Sequence, residues 1–178
     1  MKYLLIVLFI SIVGFIFGDR QSQVLDFCKD NIGSEDWSFY EERTSIDGKI
    51  TLGKNKFKCN LFVYEALVSG GVDVPIFYYG GEPSAPNTND WYNENVDGFE
   101  LVGKGLDALD NAWPGDIIVL YKPKLWDWVP FTGEHHMGII SGPQKTISAS
   151  GIDHVIVEND WGWRTDHWTE VKVFRYHP

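Results

Sequence analysis

Phe57-Lys58-Cys59-Asn60-Leu61-Phe62-Val63-Tyr64-Glu65-Ala66-Leu67-Val68-Ser69-Gly70-Gly71 is the stretch that decides the fold. Within it Cys59, Phe62, Val63, Ala66 and Leu67 recur at i, i+3, i+4, i+7 and i+8. That spacing predicts a helix with one apolar stripe packed on a core, and Gly70-Gly71 supplies its stop signal. Cys59 then lies in the first turn and faces inward. A helix N-terminus carries partial positive charge and open N–H groups, which favour thiolate over thiol, and Lys56 and Lys58 add to this. The plainer alternative is that Cys59 is a small buried hydrophobe, as unpaired cysteines often are.

Outward from this helix the two flanks differ. On the N-terminal side, Val24, Leu25, Phe27, Cys28 and Ile32 predict a short helix over 21–31, ended by Gly33. Residues 34–56 read as loop, with a turn or short strand at 46–50. Residues 72–98 hold Pro75, Gly80-Gly81, Pro83 and Pro86 among several aromatics, and predict a long irregular segment with a helical turn at 91–96. Long loops in compact domains usually carry function. From Trp113 onward the chain reads as strands. Pro114-Gly115-Asp116 turns into 117–121, and 136–141, 146–150, 154–159 and 171–176 follow. Helices first and consecutive strands afterwards predict an α+β domain, with N-terminal helices packed on an antiparallel sheet and the Cys59 helix covering one face.

Met1-Lys2 followed by an almost unbroken apolar run over 3–17 reads as a secretory signal peptide cut near Gly18. The run falls short of the roughly 20 apolar residues of a membrane span, so no stable membrane insertion is expected after cleavage. Residues 19–178 are expected to form one domain, secreted to the extracellular side. With 44% hydrophobic and 22% charged residues and no low-complexity tract, a packed core is expected rather than disorder. The net charge of −10 and the lack of a basic run argue against nucleic acid as a partner. They also argue against a cationic membrane-lytic action. Cys28 and Cys59 are the two cysteines, and an even count in a secreted chain permits a disulfide between them. A bridge would silence Cys59.

A cysteine nucleophile needs a base, and the base an orienting partner. His136 begins the strand His136-Met137-Gly138-Ile139-Ile140-Ser141 and can meet a helix N-terminus packed on that sheet. Its neighbour His135 alternates to the other face and is expected to be exposed. No ligand set for a metal accompanies the pair, and no cofactor is expected. Two residues could orient His136. Asn159 shares a face with Val155 and Val157, directed at the core, and Ser148 shares one with Thr146 and Ser150, read as a solvent side. Trp126 and Trp128 lie in the loop that leads into the His136 strand, and are candidates to overhang the cleft and hold substrate.

Three motifs in order carry a resemblance: Lys58-Cys59-Asn60-x-Phe62-Val63, Pro114-Gly115-Asp116-Ile117 and His136-Met137-Gly138-Ile139. Together they resemble the NlpC-type cell-wall peptidases, papain-like cysteine hydrolases that cut peptidoglycan peptides. The first motif is most similar to type VI secretion amidase effectors and their domesticated eukaryotic relatives. Glu158-Asn159-Asp160-Trp161-Gly162 is also similar to the Asn-x-Trp-Gly stretch of papain-like proteases. The resemblance covers roughly residues 55–160. It implies a papain-like fold and a secreted antibacterial cysteine hydrolase with bacterial peptidoglycan as substrate, Cys59 as nucleophile, His136 as base and Asn159 as orienter. Many NlpC-type enzymes carry a third polar residue, often His, on the strand after the catalytic His. Here that strand reads Thr146-Ile147-Ser148-Ala149-Ser150, which leaves Asn159 and Ser148 both open. The alternative on the same scaffold is a wall- or glycan-binding protein with Cys28 and Cys59 joined.

Overall fold

The computed structural model describes residues 20–121, 135–160 and 170–177. The expected signal peptide and the loop with Trp126 and Trp128 lie outside them. The chain opens with helix α1 over 20–30. A hairpin of β1 (Arg43–Thr44) and β2 (Thr51–Leu52) precedes α2 (Cys59–Ser69). A second small hairpin, β3 (Phe77–Tyr79) with β4 (Glu82–Ser84), and α3 (Thr88–Tyr92) occupy the segment expected to be irregular. Then come β5 (Phe99–Lys104), a 3-10 turn at Leu106–Asn111, β6 (Ile117–Tyr121), β7 (His136–Gly142), β8 (Lys145–Ala149), β9 (Ile156–Asp160) and β10 (Glu170–Tyr176).

The fold is α+β, and its main sheet is antiparallel in every pairing, with strand order β5-β10-β6-β7-β8-β9. Strands β6 to β9 form the meander that the strand pattern predicts. The last strand, β10, does not extend it. It returns to lie between β5 and β6, which no local pattern encodes.

Alternation along each strand sends side chains to two different layers. Ile117, Val119, Met137, Ile139 and Ile147 join the α2 residues in the larger core. Ile118, Leu120, Ile140, Val171 and Val173 form a smaller core with Ala108 of the 3-10 turn. The sheet therefore buries both faces in its middle, which explains why β6 reads Ile-Ile-Val-Leu without alternation.

Helix α2 is buried more completely than one stripe predicts. All of Leu61 to Leu67 are buried. One side packs on β7 and β8, and the other is covered by the 34–50 segment. Trp37 stacks edge-on against Phe62, with ring centroids 5.3 Å apart. Glu65, fully buried in α2, accepts hydrogen bonds from Trp37 Nε1 at 2.5 Å, Arg43 Nε at 3.1 Å and the Ile46 amide at 2.8 Å. A buried carboxylate survives only with such partners. Tyr64 donates to Asp47 at 2.8 Å from the same side. Helix α1 crosses the far end of α2 at Gly70, where a Cβ would come within 2.5 Å of Val24 Cγ2. Gly71 then turns the chain at φ 68°, as the stop signal requires.

Candidate active site at the start of α2

Lys58 is the N-cap of α2, and the helix start has no side-chain cap and no acidic residue in its first turn. Its partial positive charge is therefore not offset locally. Lys58 is buried at 2% exposure. Its ammonium donates to the Ser38 carbonyl at 2.9 Å and the Lys56 carbonyl at 3.2 Å. Burial lowers the Lys58 pKa, and Glu41 opposes that. The buried ammonium pins two loop segments to the residue before Cys59. In the first turn of α2, Asn60 Nδ2 donates to the Ala85 carbonyl at 3.2 Å.

Cys59 is half-buried against the larger core. Neither cysteine is in a disulfide, so the structure does not contain the Cys28–Cys59 bridge that the even count permits. Cys28 sits in α1 at 0% exposure, and burial pushes its thiol pKa far up. The two thiols thus have different surroundings: one is sealed in a helix interface, and the other stands at an uncapped helix start.

His136 is the first residue of β7, paired with Leu120 and 6% exposed. The start of α2 lies at the same end of the sheet. Strand β8 ends opposite the start of β7, and a Cβ on Gly151 just beyond it would meet Phe57 Cε1 at 3.0 Å. Along β7, alternation gives Met137 and Ile139 to the α2 face. His136, Gly138 and Ile140 form the other set, where Ile118 and Leu120 also lie. The expectation that the His136 face meets α2 is therefore corrected: a Cys59–His136 pair would have to form around the end of the sheet, at the first strand position.

Register separates the two candidate orienters. Ile139 pairs with Ile147, which sets Ser148 opposite Gly138, one diagonal step from His136. Diagonal neighbours lie about 7–8 Å apart, within reach of an aromatic side chain such as that of His136. Ser148 is 1% exposed, and its Oγ has no hydrogen-bond partner among the described residues. The expectation of a solvent side for Ser148 and Thr146 is corrected: both are buried. Asn159 pairs with Thr146, which pairs with Ile140. That is four residues along and two strands across from His136, or about 16 Å at strand spacings. The structure does not bring Asn159 to His136. Period-two reasoning gives the face of a residue but not its height along the sheet.

His135 is half-buried rather than exposed. Its ring stacks on Tyr121, with centroids 4.3 Å apart, and Tyr121 stacks on Tyr92 of α3 at 4.0 Å. The Pro-Gly-Asp motif has a structural role here. Asp116 is 1% exposed and takes a two-point contact from Arg175 at 2.9 and 2.7 Å. Gly115 turns at φ 96° against Gln21 of α1.

The sequence reading missed the polar supports of α2: Lys58 as a buried group, Glu65, Asp47 and Tyr64. A carboxylate in mid-run at Glu65 was the available signal. Among the described residues no group of three or more His, Cys, Asp or Glu could hold a metal ion. No helix among them is long and apolar enough to cross a membrane. No protein-family model matches the chain, and no curated protein matches it.

Proposed function

We propose that the protein is a secreted cysteine hydrolase with a papain-like, NlpC-type fold, which cleaves amide bonds in bacterial peptidoglycan stem peptides or cross-links. The observation that carries this reading is the shared sheet end: Cys59 at an uncapped helix start, and His136 opening the strand that α2 packs against. The Cys59 thiolate attacks the scissile carbonyl carbon. The resulting oxyanion takes a hydrogen bond from the Cys59 backbone N–H. His136, protonated when the thiolate forms, gives its proton to the leaving amine. Water, deprotonated by His136, then hydrolyses the thioester and regenerates the thiol. No cofactor enters these steps. Ser148 is better placed than Asn159 to act on the far side of the His136 ring. An antibacterial role follows from the substrate.

The test uses the mature chain on purified bacterial sacculi, reading release of soluble peptide fragments. Cys59→Ala and His136→Ala should each abolish release while retaining the folded circular dichroism spectrum. Release that survives Cys59→Ala would end the proposal. Release that survives His136→Ala but not His135→Ala would move the base to the neighbouring ring. Retention on sacculi without any cleavage by the parent protein would favour the wall-binding alternative.

A further inference from the structure

Beside the start of α2 is a group of aromatic rings that the hydrolase chemistry does not use. Phe57 is 68% exposed and Tyr40 56%, and Ile152, next to Gly151, is 85% exposed. Phe39 joins them: its ring centroid is 5.0 Å from that of Phe57 and 5.5 Å from that of Tyr40. Tyr40 in turn lies 4.7 Å from the His154 ring. The row thus runs from the residue two before Cys59 to the turn between β8 and β9.

The row is held in place from below. The Lys58 ammonium binds the carbonyls of Ser38 and Lys56, the residues just before Phe39 and Phe57. The Asn55 amide donates to the Phe39 carbonyl at 2.7 Å. Phe57 lies so close to Gly151 that any side chain there would displace it. In the turn, Ser150 Oγ accepts from the Ile152 and Asp153 amides and donates to the Asp153 carboxylate at 2.8 Å. Phe57 and Tyr40 are exposed, Phe39 and His154 half-buried, and all four belong to segments held in place. Contiguous exposed apolar surface of this kind marks a contact site.

The chemistry of the occupant follows from charge. The chain carries −10 overall, so an anionic wall polymer is repelled at long range and must be held by uncharged contacts. Described cation–ring contacts fall on Trp37, Tyr92, Trp113 and Tyr176, and none on these four rings. Neighbouring rings are tilted by 47° to 87°, so each offers its own face or edge, and with a hydroxyl and an imidazole at one end they suit the C–H face and hydroxyls of a sugar ring. They suit the ionised ends of a stem peptide poorly. We propose that Phe39, Tyr40, Phe57 and His154 form a stacking platform for the glycan strand of peptidoglycan, beside the peptide bond to be cut. This rests on the hydrolase reading for its substrate class.

Two assays test the platform. In the first, Cys59→Ala protein is co-sedimented with sacculi, with and without the added pair Phe57→Ala and Tyr40→Ala. Aromatic contacts are worth about 0.5–1.5 kcal/mol each, so retention should fall about twofold to tenfold per ring. In the second, the same pair in active protein should raise KM on sacculi and leave turnover of glycan-free stem peptides unchanged. Both side chains are exposed, so folding should survive, and circular dichroism checks it. Unchanged sedimentation overturns the platform, as does an equal loss on sacculi and free peptides. Sedimentation that persists after the glycan is digested away, pointing to a wall protein as the target, also overturns it. A parent protein that cleaves nothing but sediments through these rings would refute the hydrolase and leave the platform standing.

Discussion

Replacing Gly138 by Ala should loosen the pairing of β7 and β8. A Cβ at Gly138 would stand 2.6 Å from Thr146 Cγ2, 2.7 Å from the Ile147 carbonyl oxygen and 3.0 Å from Ser148 Cβ. Comfortable carbon contacts are about 3.5–4.0 Å, so each approach is short by about half an ångström to an ångström. The neighbours cannot give way cheaply. Thr146 and Ser148 are 2% and 1% exposed, and the Ile147 carbonyl is main chain of the adjoining strand. The strands must therefore spread or shear. Overpacking of this kind costs about 1–3 kcal/mol. The reduced freedom of the unfolded chain returns about 0.4–1 kcal/mol. The net loss should be at most about 2.6 kcal/mol and centre near about 1.3 kcal/mol, which is about 3–5 °C in Tm for a chain of this size.

Gly142 provides the control within the same strand. A Cβ there meets nothing within 4 Å, so Gly142→Ala should change stability by less than about 0.5 kcal/mol. Thermal and urea unfolding of both variants, with m compared, decide the matter. Equal stability of Gly138→Ala and Gly142→Ala would refute the account. A change in m without a change in midpoint would instead place the effect in the unfolded chain. If the hydrolase reading holds, Gly138→Ala should also slow kcat at temperatures well below its Tm, since Gly138 separates His136 from Ser148.

Three further outcomes are expected. Iodoacetamide should label the native protein once, at Cys59, and twice only after denaturation, because Cys28 is sealed under α1; mass spectrometry reads this, and prompt native labelling of Cys28 would contradict the packing. For Asp47, burial alone would raise the pKa, but Ser45, Tyr64 and Lys49 outweigh it and hold it at about 2; its stabilising contribution is present above the unfolded value of about 3.9 and is lost as pH falls toward 2. It amounts to no more than about 2 kcal/mol after screening, so Asp47→Asn should lower stability at neutral pH and flatten the acid limb between about pH 4 and 2, and an unaltered acid limb in urea titrations would disprove it. Ser148→Ala should lower kcat on sacculi and shift its pH profile, whereas Asn159→Ala should do neither; the reverse pattern would return the orienting role to Asn159.

Legibility in the sequence follows the range of the interactions. The strands 117–121, 136–141 and 171–176 are nearly those found, because each is fixed by its own apolar run. Helix α2 was readable from its spacing, but its full burial was not, since the cover comes from Trp37 and Arg43 some 20 residues earlier. The insertion of β10 between β5 and β6 depends on pairing across about 70 residues to β5 and about 50 to β6, and leaves no local trace. The same limit governs the site. That Cys59 and His136 each begin an element was readable locally. Choosing between Ser148 and Asn159 required register, which depends on where the turns at Gly142-Pro143 and 150–155 fall.

The geometry of the site is thus set by two independently held parts. On the helix side, Lys58 anchors the start of α2 to residues 38 and 56, while Glu65 and Asp47 fasten the helix flank to the 36–49 segment. On the sheet side, the bare Gly138 lets β8 approach β7 closely enough to place Ser148 one diagonal step from His136. Few apolar contacts are specific enough to fix a sulfur to within an ångström. Buried charges with defined partners are, because displacing them leaves a polar group unsatisfied at a cost of about 1–3 kcal/mol. An otherwise apolar α2 therefore keeps a lysine at its cap and a glutamate in its middle. Their stabilising value against hydrophobic replacements is small or negative, but they permit one position of the helix start.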